Sequence, residues 1–143
     1  MNYWLLKTES EEYSFDDLVC DGNAVWDGIR NYQARNNLKA MKKGDKVFIY
    51  HTGDEKQIVG LAEVVKEHYP DPSDKTNTWC VIQVKALEKL KKPVTLEMIK
   101  NEKSLKDLQL LKQSRLSVVP LTKKEFDKIL IVFIHKIPEI MYI

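Results

Sequence analysis

Three β-rich segments follow one another in the middle of the chain: "KVFIYH" (46–51), "QIVGLAEVVKEH" (57–68) and "WCVIQVKALEKL" (79–90). This succession constrains the fold more than any other feature. Only "TGDEK" separates the first two, a length suited to a hairpin. The polar stretch "YPDPSDKTNT" (69–78) reads as the turn before the third. Strands joined by short loops pair antiparallel, because a parallel pair needs a crossover of about a dozen residues or more. The chain shows no regular strand–helix–strand alternation, which argues against a doubly wound sheet. Gly60, inside the second segment, predicts a bulge or a close backbone approach.

The flanking elements are short. "YWLLK" (3–7) reads as a buried strand, and "SFDDLV" (14–19) as a short helix with Ser14 as N-cap and Asp17 as its box partner. "QARNNLKAMKK" (33–43) places Ala34, Leu38 and Met41 at i, i+4, i+7, a helical stripe that Gly44 is expected to stop. "KKPVT" (91–95) reads as a turn, "TLEMIKN" as helical, and "SLKDLQLLK" as a helix capped by Ser104 with Asp107 three residues on. "RLSVVPL" (115–121) is extended, and Thr122 with Glu125 caps a last helix. The expected fold is one α+β domain: a strongly curved antiparallel sheet or small barrel with helices on its flank. A chain of 143 residues suffices for one core. The apolar tail "ILIVFIHKIPEIMYI" (129–143) is expected to pack back on the domain, with Pro138 breaking any helix.

Several function classes lack support. Cys20 and Cys80 are far apart, with no CxxC pair, and are expected to be reduced and buried, as in an intracellular protein. The N-terminal stretch lacks a basic region and a long apolar run, and no stretch approaches the roughly 20 apolar residues of a membrane span. The expected location is the cytoplasm, or the nucleus in a eukaryote, without membrane attachment. His51, His68 and His135 are scattered, and no HExxH, GxSxG, P-loop or GxGxxG occurs. No metal and no cofactor is expected. His51 has two readings, a catalytic base or a polar residue at a strand end. Glu9, Glu11 and Glu12 form an acidic run whose default is solvated surface.

The net charge of +2 is too small to attract nucleic acid over the whole chain, so any attraction must be local. Between Asp27 and Asp45 there is no acid, yet Arg30, Arg35, Lys39, Lys42 and Lys43 fall inside. Arg35, Lys39 and Lys42 repeat at i, i+4, i+7 beside the apolar stripe. Such a face is either simply solvated or follows a phosphate backbone. Trp26, in "VWDG", precedes a turn; it either packs in the core or walls a pocket in which a planar ligand stacks. Asn31, Gln33, Asn36 and Asn37 have the donors and acceptors to read base edges, although Asn31 also suits an N-cap and Asn37 a solvent-facing position. In "KQSRLSVVP", Gln113, Ser114, Arg115 and Ser117 lie beside a strand, where the arginine suits a phosphate or a ligand carbonyl.

Taken in order, "YWLLKTESEEYSFDDL", "VWDGIRNYQARNNLKAMKKGDKVFIYH", "IVGLAEVVKEHYPDP", "PVTLEMIK" and "QSRLSVVPLTKKEFDKIL" resemble the EVE domain, a branch of the PUA-like superfamily. The resemblance implies a twisted antiparallel pseudobarrel of five or six strands flanked by helices, over residues 1–134, with residues 135–143 as an atypical apolar tail. It also implies a cavity that takes a flipped, modified nucleobase. Carried over to this sequence, the base pocket comprises Lys7, Thr8, Glu9, Trp26, Asp27, Asn31, Tyr50, His51, Thr52 and Ser117. Arg30, Arg35, Lys39, Lys42 and Arg115 are the backbone contacts. The chain departs from the family pattern at "TES" (8–10) and at Tyr32, positions where proline is frequent.

The expected function is a non-catalytic module that binds DNA or RNA carrying a modified base, modified cytosine in DNA first, with any effector activity supplied by a partner protein. The alternatives are an RNA-binding PUA-like module or a binder of a free nucleoside. Behind both stands an enzyme acting on nucleotides, with His51 or Glu9 as acid/base.

Overall fold

The computed structural model describes residues 1–134. A six-stranded sheet is built from β1 (Tyr3–Thr8), β2 (Asn23–Trp26), β3 (Lys46–His51), β4 (Gln57–Pro70), β5 (Cys80–Thr95) and β6 (Val118–Leu121), in the order β2-β5-β4-β3-β1-β6. The helices are α1 (Phe15–Asp21), α2 (Tyr32–Ala40), α3 (Leu96–Lys100), α4 (Gln109–Lys112) and α5 (Lys123–Ile129). The sheet does not close, since β2 and β6 form its edges. It is nevertheless curled: α2 touches both β6, one edge strand, and β5, the neighbour of the other edge strand.

The β3–β4–β5 meander expected from the short loops is present and antiparallel. One pairing differs. β1 runs parallel to β3, with Tyr3 opposite Lys46 and Thr8 opposite His51, so the sheet is mixed. The intervening chain through α1, β2 and α2 is long enough to supply the crossover that parallel pairing requires. β3 is thereby paired along both edges, and its side chains on both faces are almost wholly buried.

Gly60 satisfies both expectations at once. The β4 ladder slips register between Ile58 and Gly60, and the Phe15 ring lies directly over the glycine Cα. "KKPVT" is a strand rather than a turn. From the Ile58–Val94 pair to the Gly60–Lys89 pair, β4 advances two residues and β5 advances five. Pro93 falls in that bulge, where its missing N–H costs no ladder bond.

Helix caps followed local chemistry closely. Ser14 with Asp17, and Thr122 with Glu125, form reciprocal capping boxes, and the Asn31 side chain accepts from the Ala34 N–H. Two helix ends differ. α2 stops at Ala40 rather than at Gly44, because Met41 turns extended and is buried. "SLKDLQLLK" splits into a 3-10 turn, Lys103–Leu105, and α4, and Glu102 rather than Ser104 supplies the cap. The buried Leu105, Leu108 and Leu110 do not share one helical face, so burial outweighs the local signal.

Asp45 anchors the turn before β3. Only 2% exposed, it accepts from the Asn2 N–H, the Trp4 indole N–H and the Lys42 N–H. Both cysteines are free; Cys80 is buried, whereas Cys20, expected to be buried, is exposed on α1, whose buried residues are Phe15 and Leu18. After α5 a π-helical turn, Leu130–Ile134, lays Leu130, Phe133 and Ile134 against the core. The remaining tail expectation, residues 135–143, lies outside the described residues.

Candidate functional site

A cavity of about 890 Å³ opens where β1, β2 and the segment before β6 meet. Trp26 ends β2 and is held in register opposite Ile82. Only 7% of it is exposed, yet the exposed part faces this hollow rather than a solid interior. Tyr13 stands edge-on to it, with ring centroids 6.1 Å apart and planes at 81°. The two rings make a right-angled aromatic corner, so a planar heterocycle can lie against one and meet the other edge-on.

The polar lining comes from several elements. Lys7 and Thr8 arrive on β1, followed by Glu9 and Glu12; Asp21 and Asn23 flank the α1–β2 turn, and Asp27 follows Trp26. Thr52, Ser114, Arg115 and Ser117 complete it. Internal bonds orient these groups. The Thr8 hydroxyl donates to the Tyr13 carbonyl, which leaves its lone pairs as acceptors toward the cavity. The Tyr13 hydroxyl donates to Asp21, and burial together with this carboxylate pushes the phenol pKa well up. The Lys7 ammonium donates to the Ser114 carbonyl and lies 5.8 Å from the Tyr50 ring centroid; burial lowers its pKa.

Of the ten residues expected to line a base pocket, Lys7, Thr8, Glu9, Trp26, Asp27, Thr52 and Ser117 meet here. Tyr50 and His51 do not. Tyr50 is buried behind Lys7. His51 is buried with both ring nitrogens engaged: Nε2 accepts from the Phe15 N–H at 3.1 Å, and Nδ1 faces Glu55 at 3.0 Å. The ring thus caps α1 from the side and is absent from the cavity lining, which corrects its expected place at the rim. Asn31 belongs to a second, smaller hollow of about 360 Å³ with Gln33 and Lys112. That hollow shares Ser114 and Arg115 with the first. The Asn31 side-chain oxygen Oδ1 is committed to the helix cap, where it accepts from the Ala34 N–H. Tyr13 was missed. It sits in an acidic, polar stretch whose only signal was its place one residue before the Ser14 cap.

The expected cationic stripe is shorter than its spacing suggested. Arg30 pairs with Asp71 at 3.0 Å and contacts Ser73, so its charge clamps the loop between β4 and β5. Lys42 lies beyond the end of α2 and faces Glu67 at 3.8 Å. Among the described residues, Arg35, Lys39 and Arg115 have no carboxylate partner, and Lys39 and Arg115 are exposed. Asn37 does not simply face solvent: it donates to the Val118 carbonyl and ties α2 to the edge strand.

The clamped loop carries a pH signature. Hydrogen bonds from Ser73, with Arg30 beside them, hold the Asp71 carboxyl below its usual range. The Thr76 hydroxyl and the Trp79 N–H do the same to Asp74. A folded-state pKa below the unfolded one stabilises only while the carboxylate is charged. That contribution is complete above about pH 4 and is lost as pH falls through the folded values. Melting temperature is expected to stay level from neutrality to about pH 5 and to drop below about pH 4. Asp71→Asn should flatten the drop, as followed by circular dichroism.

Among the described residues, no group of three or more His, Cys, Asp or Glu is placed to hold a metal ion, and no helix is long and apolar enough to cross a membrane. The chain matches the EVE domain family model over residues 2–132. Mouse thymocyte nuclear protein 1 is 39% identical, across 90% of this chain and 72% of that one. The NMR structure of a Rhodopseudomonas palustris protein superposes with a TM-score of 0.85 at 43% identity, across 89% of each chain. The crystal structure of human THYN1 protein in complex with 5-methylcytosine containing DNA does so with a TM-score of 0.84 at 35% identity. It is covered over 96% of its length by 91% of this chain.

Proposed function

The chain belongs to the EVE domain family, and from that premise we propose that it is a non-catalytic module that binds DNA by taking up a flipped, modified base, foremost a modified cytosine. The observation that carries this reading is the cavity of about 890 Å³ with its right-angled corner of Trp26 and Tyr13. The human relative solved with 5-methylcytosine containing DNA supports it.

Extruding a base costs a few kcal/mol, least where it is already unpaired. The corner offsets this through stacking. Thr8, Thr52 and Ser117 offer acceptors and donors to the base edge, and Lys7 and Arg115 suit carbonyl or phosphate oxygens. A cavity that fits an added methyl discriminates by about 1–3 kcal/mol, roughly 5- to 150-fold. His51 takes no part in proton transfer in this scheme, since both of its nitrogens are occupied in the fold.

The test is a fluorescence-anisotropy titration with matched oligonucleotides carrying cytosine or 5-methylcytosine, as DNA and as RNA. Tighter binding of the modified DNA strand is expected; identical affinity for all four strands would sink the reading. Exposed Lys39 contributes a phosphate contact outside the cavity. Lys39→Ala should reduce the slope of log K against log salt by about 0.7 on a single strand and leave the preference for the modified base intact.

A further inference from the structure

An aromatic surface outside the cavity is not used by the reading above. Tyr32, the first residue of α2, is 62% exposed, and its ring centroid lies 5.0 Å from that of half-buried Trp79, with planes tilted by 36°. The Arg35 guanidinium sits 5.0 Å from the Tyr32 ring centroid, and that of Arg30 sits 5.8 Å from Trp79. The pair is held from beneath. The Asp74 carboxylate accepts the N–H groups of Thr76, Thr78 and Trp79, and Arg35 donates to the Thr78 carbonyl. Arg30 fastens the same loop through Asp71 and Ser73.

The exposed tyrosine rests beside a loop tied down by hydrogen bonds, with the Arg35 guanidinium next to its ring, whereas Arg30 by Trp79 is already paired with Asp71. Interior packing would bury the residue; Tyr32 is instead 62% exposed. The flanking charges fit a phosphodiester strand: Arg35 and Lys39 have no carboxylate partner among the described residues. The place is also right. Ile29 lines the cavity, and Tyr32 follows three residues later, within about 11 Å along the chain. The smaller hollow of Asn31 and Gln33, which shares Ser114 and Arg115 with the cavity, lies beside the same turn.

We propose that Tyr32, supported by Trp79 and flanked by Arg35, is a stacking shelf for an unpaired base next to the nucleotide whose base enters the cavity. The proposal rests on the base-binding reading of that cavity. It makes the preferred target a single or locally opened DNA strand, because a neighbouring base still held in a duplex stack cannot lie on the shelf. Stacking on aromatic rings is tolerant of sequence, so the shelf adds affinity with little choice among flanking bases.

The experiment pairs protein variants with strands. A single-stranded 5-methylcytosine oligonucleotide is titrated into wild type, Tyr32→Ala and Tyr32→Phe. The titrations are repeated with an abasic site on the 5′ or the 3′ side of the modified base. Tyr32→Ala is expected to weaken binding by about fivefold to twentyfold, whereas Tyr32→Phe keeps most of the affinity. One of the two abasic strands should weaken wild type by a similar factor and Tyr32→Ala by none. If wild type binds the modified strand and Tyr32→Ala binds it equally well, the shelf is refuted while the cavity reading stands. The same holds if the abasic losses add in full to that of Tyr32→Ala. If wild type shows no preference for the modified strand, the cavity reading falls and the shelf with it.

Discussion

Trp26→Leu is expected to weaken binding of a 5-methylcytosine DNA strand by about 1–3 kcal/mol, roughly 5- to 150-fold. Stacking on a heterocycle needs a flat aromatic surface, and leucine keeps bulk in the cavity wall without that surface. The ring is only 7% exposed, so the substitution also disturbs the fold. The stability cost should stay below the roughly 3–5 kcal/mol of truncating a buried aromatic to alanine. The two effects separate experimentally: a thermal melt measures the loss of fold, and titration well below the melting temperature measures the loss of recognition. Wild-type affinity in the folded leucine variant would remove Trp26 from the recognition scheme. Tyr13 would then stand as the sole aromatic wall.

The second large effect concerns stability alone. Gly60→Ala is expected to lower stability by about 3 kcal/mol and the melting temperature by roughly 10 °C. A Cβ at this position would lie within 3.0 Å of three atoms of the Phe15 ring. Phe15 is fully buried, begins α1, and donates its N–H to His51, so it has little room to retreat. Phe15→Leu is expected to destabilise by itself yet to be less harmful in the Gly60→Ala background. Chemical denaturation of the four proteins should show a favourable coupling of at least about 1 kcal/mol. A single alanine variant within about 0.5 kcal/mol of wild type would show that the close approach carries no cost.

The candidate site was partly legible in the residues. Lys7, Thr8, Glu9, Trp26, Asp27, Thr52 and Ser117 lie in the motifs that carry the family resemblance and share one cavity. Tyr50 and His51 are consecutive on β3 and so point to opposite faces, but both faces of that strand are buried, which keeps both side chains out of the cavity lining. Tyr13 could not be picked out, since it reaches Trp26 only when the turn after β1 folds over β2. The cationic face is shorter than the sequence suggests for a related reason. Between Asp27 and Asp45 the chain has no acid, yet Asp71 and Glu67 come from a distant hairpin and occupy Arg30 and Lys42. Charge balance read along a chain does not report charge balance in space.

What the sequence determined by itself is the part of the fold that short-range chemistry controls without interference from burial, which excludes the Gly44 stop and the Ser104 cap. Ser14, Asn31 and Thr122 capped their helices because a side-chain oxygen three residues from an orphan N–H needs no distant partner. The β3–β4–β5 meander formed because short loops leave antiparallel pairing as the available outcome. Only the tertiary structure decided that β1 lies parallel to β3, that β5 runs through Pro93, and that "SLKDLQLLK" breaks in two. Each of these hangs on contacts between residues far apart in sequence. The energy of burying apolar area depends on what covers a residue, and no local pattern records that.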